Sequence, residues 1–185
     1  STKRHPVTMK VRLGADRLGK LTAYCIDFIM ENGAFTSVGY AILLRCLQML
    51  SGGYNIPNVK AEGKLVYTNN AWGGAARGAG PPQTNFALES AMTMLAMKLG
   101  MDPLEFRLLN SLKIGETTST GQVVEEWPFP GCLEAIRPHY ERAKKECSTF
   151  PQGRIRRGVG VAGGAFGIGP AGPGDKANIA VELNP

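Results

Sequence analysis

The stretch "NNAWGGAARGAGPPQTNFALESAMTMLAMKLG", Asn69 to Gly100, decides how the chain is read. Its first half packs four glycines, two prolines and a single charge, Arg77, into a turn-rich loop. Its second half is helical. Pro81-Pro82 behind Gly80 suits the first helical positions, and Gly100 suits a C-terminal stop. Phe86, Ala87, Ser90, Ala91, Met94, Leu95 and Met97 are expected to form the apolar face. Arg77 has two readings. It is a solvated arginine in a tight turn, or it neutralises an anion that the glycine backbone approaches closely.

Working outward, the N-terminal side reads as a β-hairpin. Val7, Met9, Val11 and Leu13 alternate with polar residues, "ADRLGK" supplies the turn, and Leu21 to Met30 is the return strand. The stripe Ile42, Leu43, Cys46, Leu47 and Leu50 changes the period to that of a helix, ended by Gly52-Gly53. Arg45 lies at the edge of this stripe, either snorkelling to solvent or functional. "NVKAEGKLVYTN" (Asn58–Asn69) is a further strand. On the C-terminal side, Asp102, Pro103 and Glu105 form a capping box ahead of a helix. Gly131 to Cys147 is helical again, with a break or kink expected at Pro138. Gly158 to Gly169 holds six glycines in twelve positions. The segment 158–185 reads as two strands around a glycine-rich bend, where another backbone or a ligand comes close. The order β-β-α-β-loop-α-α-α-β-β argues an α+β fold.

The 185 residues suffice for one ordinary domain or two small lobes, and 43% are hydrophobic. No apolar run has the length of a membrane span. The opening "STKRHPVTMK" has no apolar stretch and so does not read as a signal peptide. The net charge of +6 suits an anionic cofactor or an acidic partner surface. Without a basic motif interleaved with aromatics, or a helix-turn-helix, nucleic acid is set aside. Cys25, Cys46, Cys132 and Cys147 share no metal-binding spacing and read as thiols of a reducing, cytoplasmic compartment. "GGAARGAG" is neither GxGxxG after a strand nor a phosphate loop ending in Gly-Lys-Ser/Thr. There is no G-x-S-x-G elbow. Glu125-Glu126 reads as solvated surface. The remaining inventory is one of binding: arginines and two glycine-rich segments.

"AARGAGPPQ" (Ala75–Gln83) resembles the Arg-Gly-x-Gly-x-Pro-Gln segment in the molybdenum subunit of the xanthine oxidase family. An aromatic often precedes that Arg-Gly; here the residue is Ala76. "KRHPVTMKVRLG", "YNIPNVKAEGKLVYTNNA", "MDPLEFRLLNSLKIGE", "FPGCLEAI" and "RRGVGVAGGAFGIG" continue the likeness in order along nearly the whole chain. Within the family the motifs are most similar to the bacterial aldehyde oxidoreductases, which carry a molybdopterin cytosine dinucleotide.

The resemblance implies hydroxylation of aldehydes or N-heterocycles with water as the oxygen source. The molybdenum is held by the pterin dithiolene rather than by cysteine, and electrons leave through [2Fe–2S] clusters. It assigns Arg77 and Gly78 to the cofactor loop, Arg45 to stabilising charge on the substrate, and Ala79, Phe166 and Gly167 to the pocket. Ala79 stands where other members carry an aromatic, so a wider pocket is expected. "GPAGPGD" (Gly169–Asp175) departs from xanthine oxidase, and no pocket residue is carried over there. The glutamate base and the iron–sulfur domains of the family match nothing in this sequence. The chain therefore reads as an internal piece of a longer, homodimeric enzyme or as a subunit of a split one. Residues 1–150 belong to the cofactor-binding domain, and 151–185 form a linker and the next glycine-rich β segment. The expected partners are the remainder of the enzyme and a small aldehyde, with no nucleic acid and no membrane. The rival reading is a non-catalytic interaction or assembly domain of the same fold.

Overall fold

The computed structural model describes residues 3–151 and 153–166. The hairpin forms as its alternation requires. Strands β1 (Val7–Ala15) and β2 (Leu21–Gly33) pair antiparallel, with Val11 opposite Ile26 and Met9 opposite Phe28. Asp16 nucleates the turn: its carboxylate accepts from the backbone N–H of Leu18 and of Lys20, both at 2.9 Å. Tyr24, Ile26, Phe28 and Met30 of β2 are fully buried and form the floor of the core. β2 runs three residues beyond the expected end because it has a neighbour on each side. Strand β3 (Val59–Tyr67) lies along its other edge, parallel.

A parallel neighbour needs a crossover, and helix α1 (Gly39–Gln48) lies in it. The β2–α1–β3 segment is therefore a βαβ unit inside an α+β fold. α1 packs on β3, and α2 (Pro81–Leu99) packs on β1. α3 (Pro103–Asn110) and α4 (Phe129–Thr149) complete the helical layer. α1 ends sooner than expected, at Gln48, and a turn carries the chain on to Tyr54.

Four expectations need correction. The apolar face of α2 is rotated from the one read in the sequence. Thr84, Leu88, Met92 and Ala96 are buried, while Phe86, Met94 and Met97 are 73%, 71% and 70% exposed. The helix carries apolar residues all round, so periodicity alone could not choose a side. The capping box is only half made. Asp102 accepts from Leu104 N at 2.8 Å, but the carboxylate of Glu105 turns to Arg137 on α4. Gly158 to Phe166 forms no strand; the rest of that expected pair lies outside the described residues. The helix also continues through Pro138, which is exposed. Glu134, whose carbonyl loses its helical donor there, is itself an exposed residue.

The buried charge between α2 and α3 had no sequence expectation at all. Arg107 is completely buried. Its guanidinium donates to Glu89 Oε2 (2.7 Å), Thr93 Oγ1 (2.9 Å) and the carbonyls of Glu89 and Pro103. Tyr54 donates to the other Glu89 oxygen at 2.5 Å. Burial, with the neighbouring Glu89 carboxylate, raises the Tyr54 hydroxyl far above its ordinary range, so it stays a donor. One helical turn on, Asn110 accepts from Leu21 N (2.9 Å) and donates to Gly19 O (2.8 Å), tying α3 to the hairpin turn.

Candidate cofactor-binding site

The loop between β3 and α2 is held at both ends by backbone. At its start Gly73 N donates to Asn32 O, and Gly74 N donates to Lys3 O at 2.9 Å. The incoming chain at Lys3 thereby runs parallel to Gly73. His5 lies flat on Gly73, where a Cβ would come within 2.3 Å of the imidazole. At the far end the backbone takes an unusual course. Gly78, Ala79 and Gly80 have φ of +97°, +23° and +110° in succession. Two of the three are glycine because L side chains rarely adopt such angles. Ala79 N donates to Ala76 O at 2.8 Å and closes the turn.

Gly80 is also a contact point. A Cβ there would lie 2.8 Å from the Ile42 carbonyl oxygen and 3.2 Å from Cys46 N. The loop is thus seated on the last turn of α1, against the residues flanking Arg45. Burial pushes the Cys46 thiol up to about 11, so it is a neutral packing group at neutral pH.

Arg77 is exposed, and among the described residues its guanidinium meets no acceptor. What is engaged is its backbone: Arg4 donates to the Arg77 carbonyl at 2.7 Å and reaches Gln83 Oε1 at 3.4 Å. Ala79 is half-buried at the fringe of the core. Arg45, half-buried in the last turn of α1, lies under Phe166, with its Cζ 4.9 Å from the ring centroid. The structure therefore brings together two of the expected residues that are 121 positions apart (166 − 45). Gly167 lies outside the described residues.

Phe166 is delivered there by packing. The ring of Phe129, at the start of α4, is clasped between Gly53 and Gly163; a Cβ on either would fall 2.5 Å from it. Tyr54 meets the same ring edge-on at 5.3 Å between centroids. Among the described glycines from 158 to 164 only Gly163 is required by this close approach; a Cβ on Gly158 or Gly160 would meet open space. Sequence reading found the loop, Arg45 and Phe166. It missed Arg4, Gln83, His5 and Phe129, whose roles arise only from long-range contact. For Glu89 there was one signal: it is the single carboxylate of its helix.

Residues 1–111 match the family profile described as the molybdopterin cofactor-binding domain. Over 182 residues the chain is 40% identical to an aldehyde oxidoreductase of Megalodesulfovibrio gigas, covering 98% of this chain and 20% of that protein. It is 41% identical over 143 residues to the nicotinate dehydrogenase large molybdopterin subunit of Eubacterium barkeri, covering 77% of this chain and 33% of that one. The solved aldehyde oxidoreductase of Desulfovibrio gigas superposes with a TM-score of 0.76 at 41% identity, over 80% of this chain and 16% of that chain. The chain thus spans about a fifth to a third of the length of these curated relatives.

Proposed function

Because the chain belongs to the molybdopterin cofactor-binding domain family, within the xanthine oxidase family of molybdenum enzymes, we propose that it is part of a hydroxylase that oxidises aldehydes to carboxylic acids with water as the oxygen source. The observation that carries this reading is the seat of the Arg77–Gly80 loop on α1. The turn is seated on the helix that carries Arg45, and it leaves the Arg77 guanidinium exposed with no described acceptor. Such a loop fits an anionic cofactor: Arg77 is exposed and no described carboxylate opposes it, while the missing Cβ atoms of Gly78 and Gly80 let the backbone pack tightly on Pro82 and α1 beneath it.

When bound, the molybdopterin group supplies the oxidising metal centre; its cytosine dinucleotide form, and [2Fe–2S] clusters elsewhere in the enzyme, belong to the same proposal. Arg77 donates to the cofactor and Gly78 admits it. Arg45 sets positive charge where negative charge develops on the substrate, and Phe166 stacks on Arg45 and limits its swing. Ala79, Phe166 and Gly167 border the pocket. The break near residue 150 between this domain and the following segment accords with the end of α4 at Thr149. A cytoplasmic location fits the four free thiols, and a homodimeric enzyme belongs to the same proposal. No helix among the described residues is long and apolar enough to cross a membrane.

Aldehydes are favoured over heterocycles because both the 98%-covering relative and the superposed structure are named aldehyde oxidoreductases. The test is made on the intact enzyme. Molybdenum and released pterin nucleotide are assayed, then turnover of acetaldehyde, benzaldehyde, nicotinate and xanthine. Protein lacking molybdenum and pterin would favour the assembly-domain reading. Turnover of nicotinate alone would move the substrate class. If Ala79 lines the pocket, Ala79→Phe lowers kcat/KM for benzaldehyde roughly tenfold more than for acetaldehyde. Equal losses would remove Ala79 from the pocket.

A further inference from the structure

Arg4 is an exposed arginine with no carboxylate partner among the described ion pairs. Its two terminal nitrogens instead reach two oxygens of the Arg-Gly loop and the helix behind it: Nη2 to the Arg77 carbonyl at 2.7 Å, and Nη1 to Gln83 Oε1 at 3.4 Å. Its neighbours fix where it stands. Lys3 accepts from Gly74 N at 2.9 Å, and His5 packs on Gly73 while its Nδ1 lies 2.8 Å from the Glu31 carbonyl oxygen. Arg4 is thus the middle of a three-residue strap laid along the loop.

The loop needs such a strut. Between Arg77 and Gly80 its described backbone bonds are Ala79 N to Ala76 O, and Gln83 N to Gly80 O. Two short turns do not fix three successive positive-φ residues. A planar fork spanning a carbonyl on the loop and a side chain on the first turn of α2 fixes them relative to the helix, which a single ammonium does less well.

We propose that Arg4 is a positioning residue: it holds the Arg77 carbonyl to Gln83 and so sets the backbone with which Arg77–Gly80 meets the cofactor. The proposal rests on the cofactor-binding reading of the loop. The test uses the intact enzyme, prepared with and without molybdenum cofactor. In cofactor-free protein, Arg4→Gln is expected to speed amide exchange in the peptide covering 74–84, at Ala79 above all, by on the order of fivefold. Arg4→Lys recovers part of this protection, Gln83→Met gives a smaller acceleration at the same amides, and α3 and α4 exchange as in wild type. Molybdenum per protein and the molybdenum(V) resonance signal change in parallel with the loop. Unchanged exchange in 74–84 for both Arg4→Gln and Gln83→Met would overturn the strut, whatever the metal content. Faster exchange with wild-type metal content and signal would keep the strut and overturn the loop's role toward the cofactor.

Discussion

Arg77 owes its place to its backbone. The carbonyl is clamped by Arg4, the following residues turn through positive φ, and the exposed side chain meets no described acceptor. That arrangement asks for a guanidinium rather than any cation. A charge-assisted hydrogen bond is worth roughly 1.5–3 kcal/mol, and lysine lacks the flat fork of donors. Arg77→Lys in the intact enzyme is expected to lower molybdenum occupancy or turnover about tenfold to a hundredfold, with circular dichroism unchanged. Wild-type occupancy and turnover would return Arg77 to an ordinary loop residue. The loop itself was legible, because glycine and proline punctuate the chain locally. Arg4 was not, because 73 residues of sequence separate it from its acceptor.

At the scale of elements, the α2–α3 contact is organised by charge in a dry place. Arg107 and Glu89 saturate each other, and Tyr54 completes the carboxylate. Removing one partner leaves the other buried and unpaired, which costs about 3–5 kcal/mol. Arg107→Met is therefore expected to reduce the exchange protection of the α2 and α3 amides by that amount. Glu89→Leu with Arg107→Met recovers more than half of it, since the uncompensated charge is gone and the groups left without their partner, the Tyr54 hydroxyl and the acceptors of Arg107, are neutral. A double variant as damaged as the single one would mean that packing, not charge, is at stake. This network also explains why the face of α2 could not be read from its apolar residues. Glu89 is drawn inward by partners on other elements, Thr84 is buried with its hydroxyl donating to the Pro81 carbonyl of its own helix, and Phe86, Met94 and Met97 are left outside. The start of α3, by contrast, was legible because Asp102 and Pro103 act within a single turn.

Across the whole molecule, apolar surface remains uncovered. Phe86, Met94 and Met97 lie open on α2, and Phe35, Tyr67 and Trp72 are exposed around the ends of β2 and β3. The relatives are several times longer than this chain, which accounts for such faces. The chain of 185 residues by itself is expected to bind hydrophobic dye or to self-associate. A monodisperse monomer with cooperative melting and no dye binding would contradict this. At this scale the element order was legible as far as α4, but the direction of pairing was not. A parallel and an antiparallel strand alternate alike, so only the crossover through α1 reveals β3 as parallel to β2. The strap of Lys3–His5 has a consequence in time. The hairpin closes across a five-residue turn, whereas the Arg4 bond to Arg77 closes a ring of more than seventy residues. Closing the larger ring costs more chain entropy and waits on the crossover. During synthesis the ribosome releases a chain whose sheet edge is formed while the Arg-Gly loop is still open. By the same measure the loop locks after the hairpin and before the ties from Asn110 to the hairpin turn, which span about ninety residues.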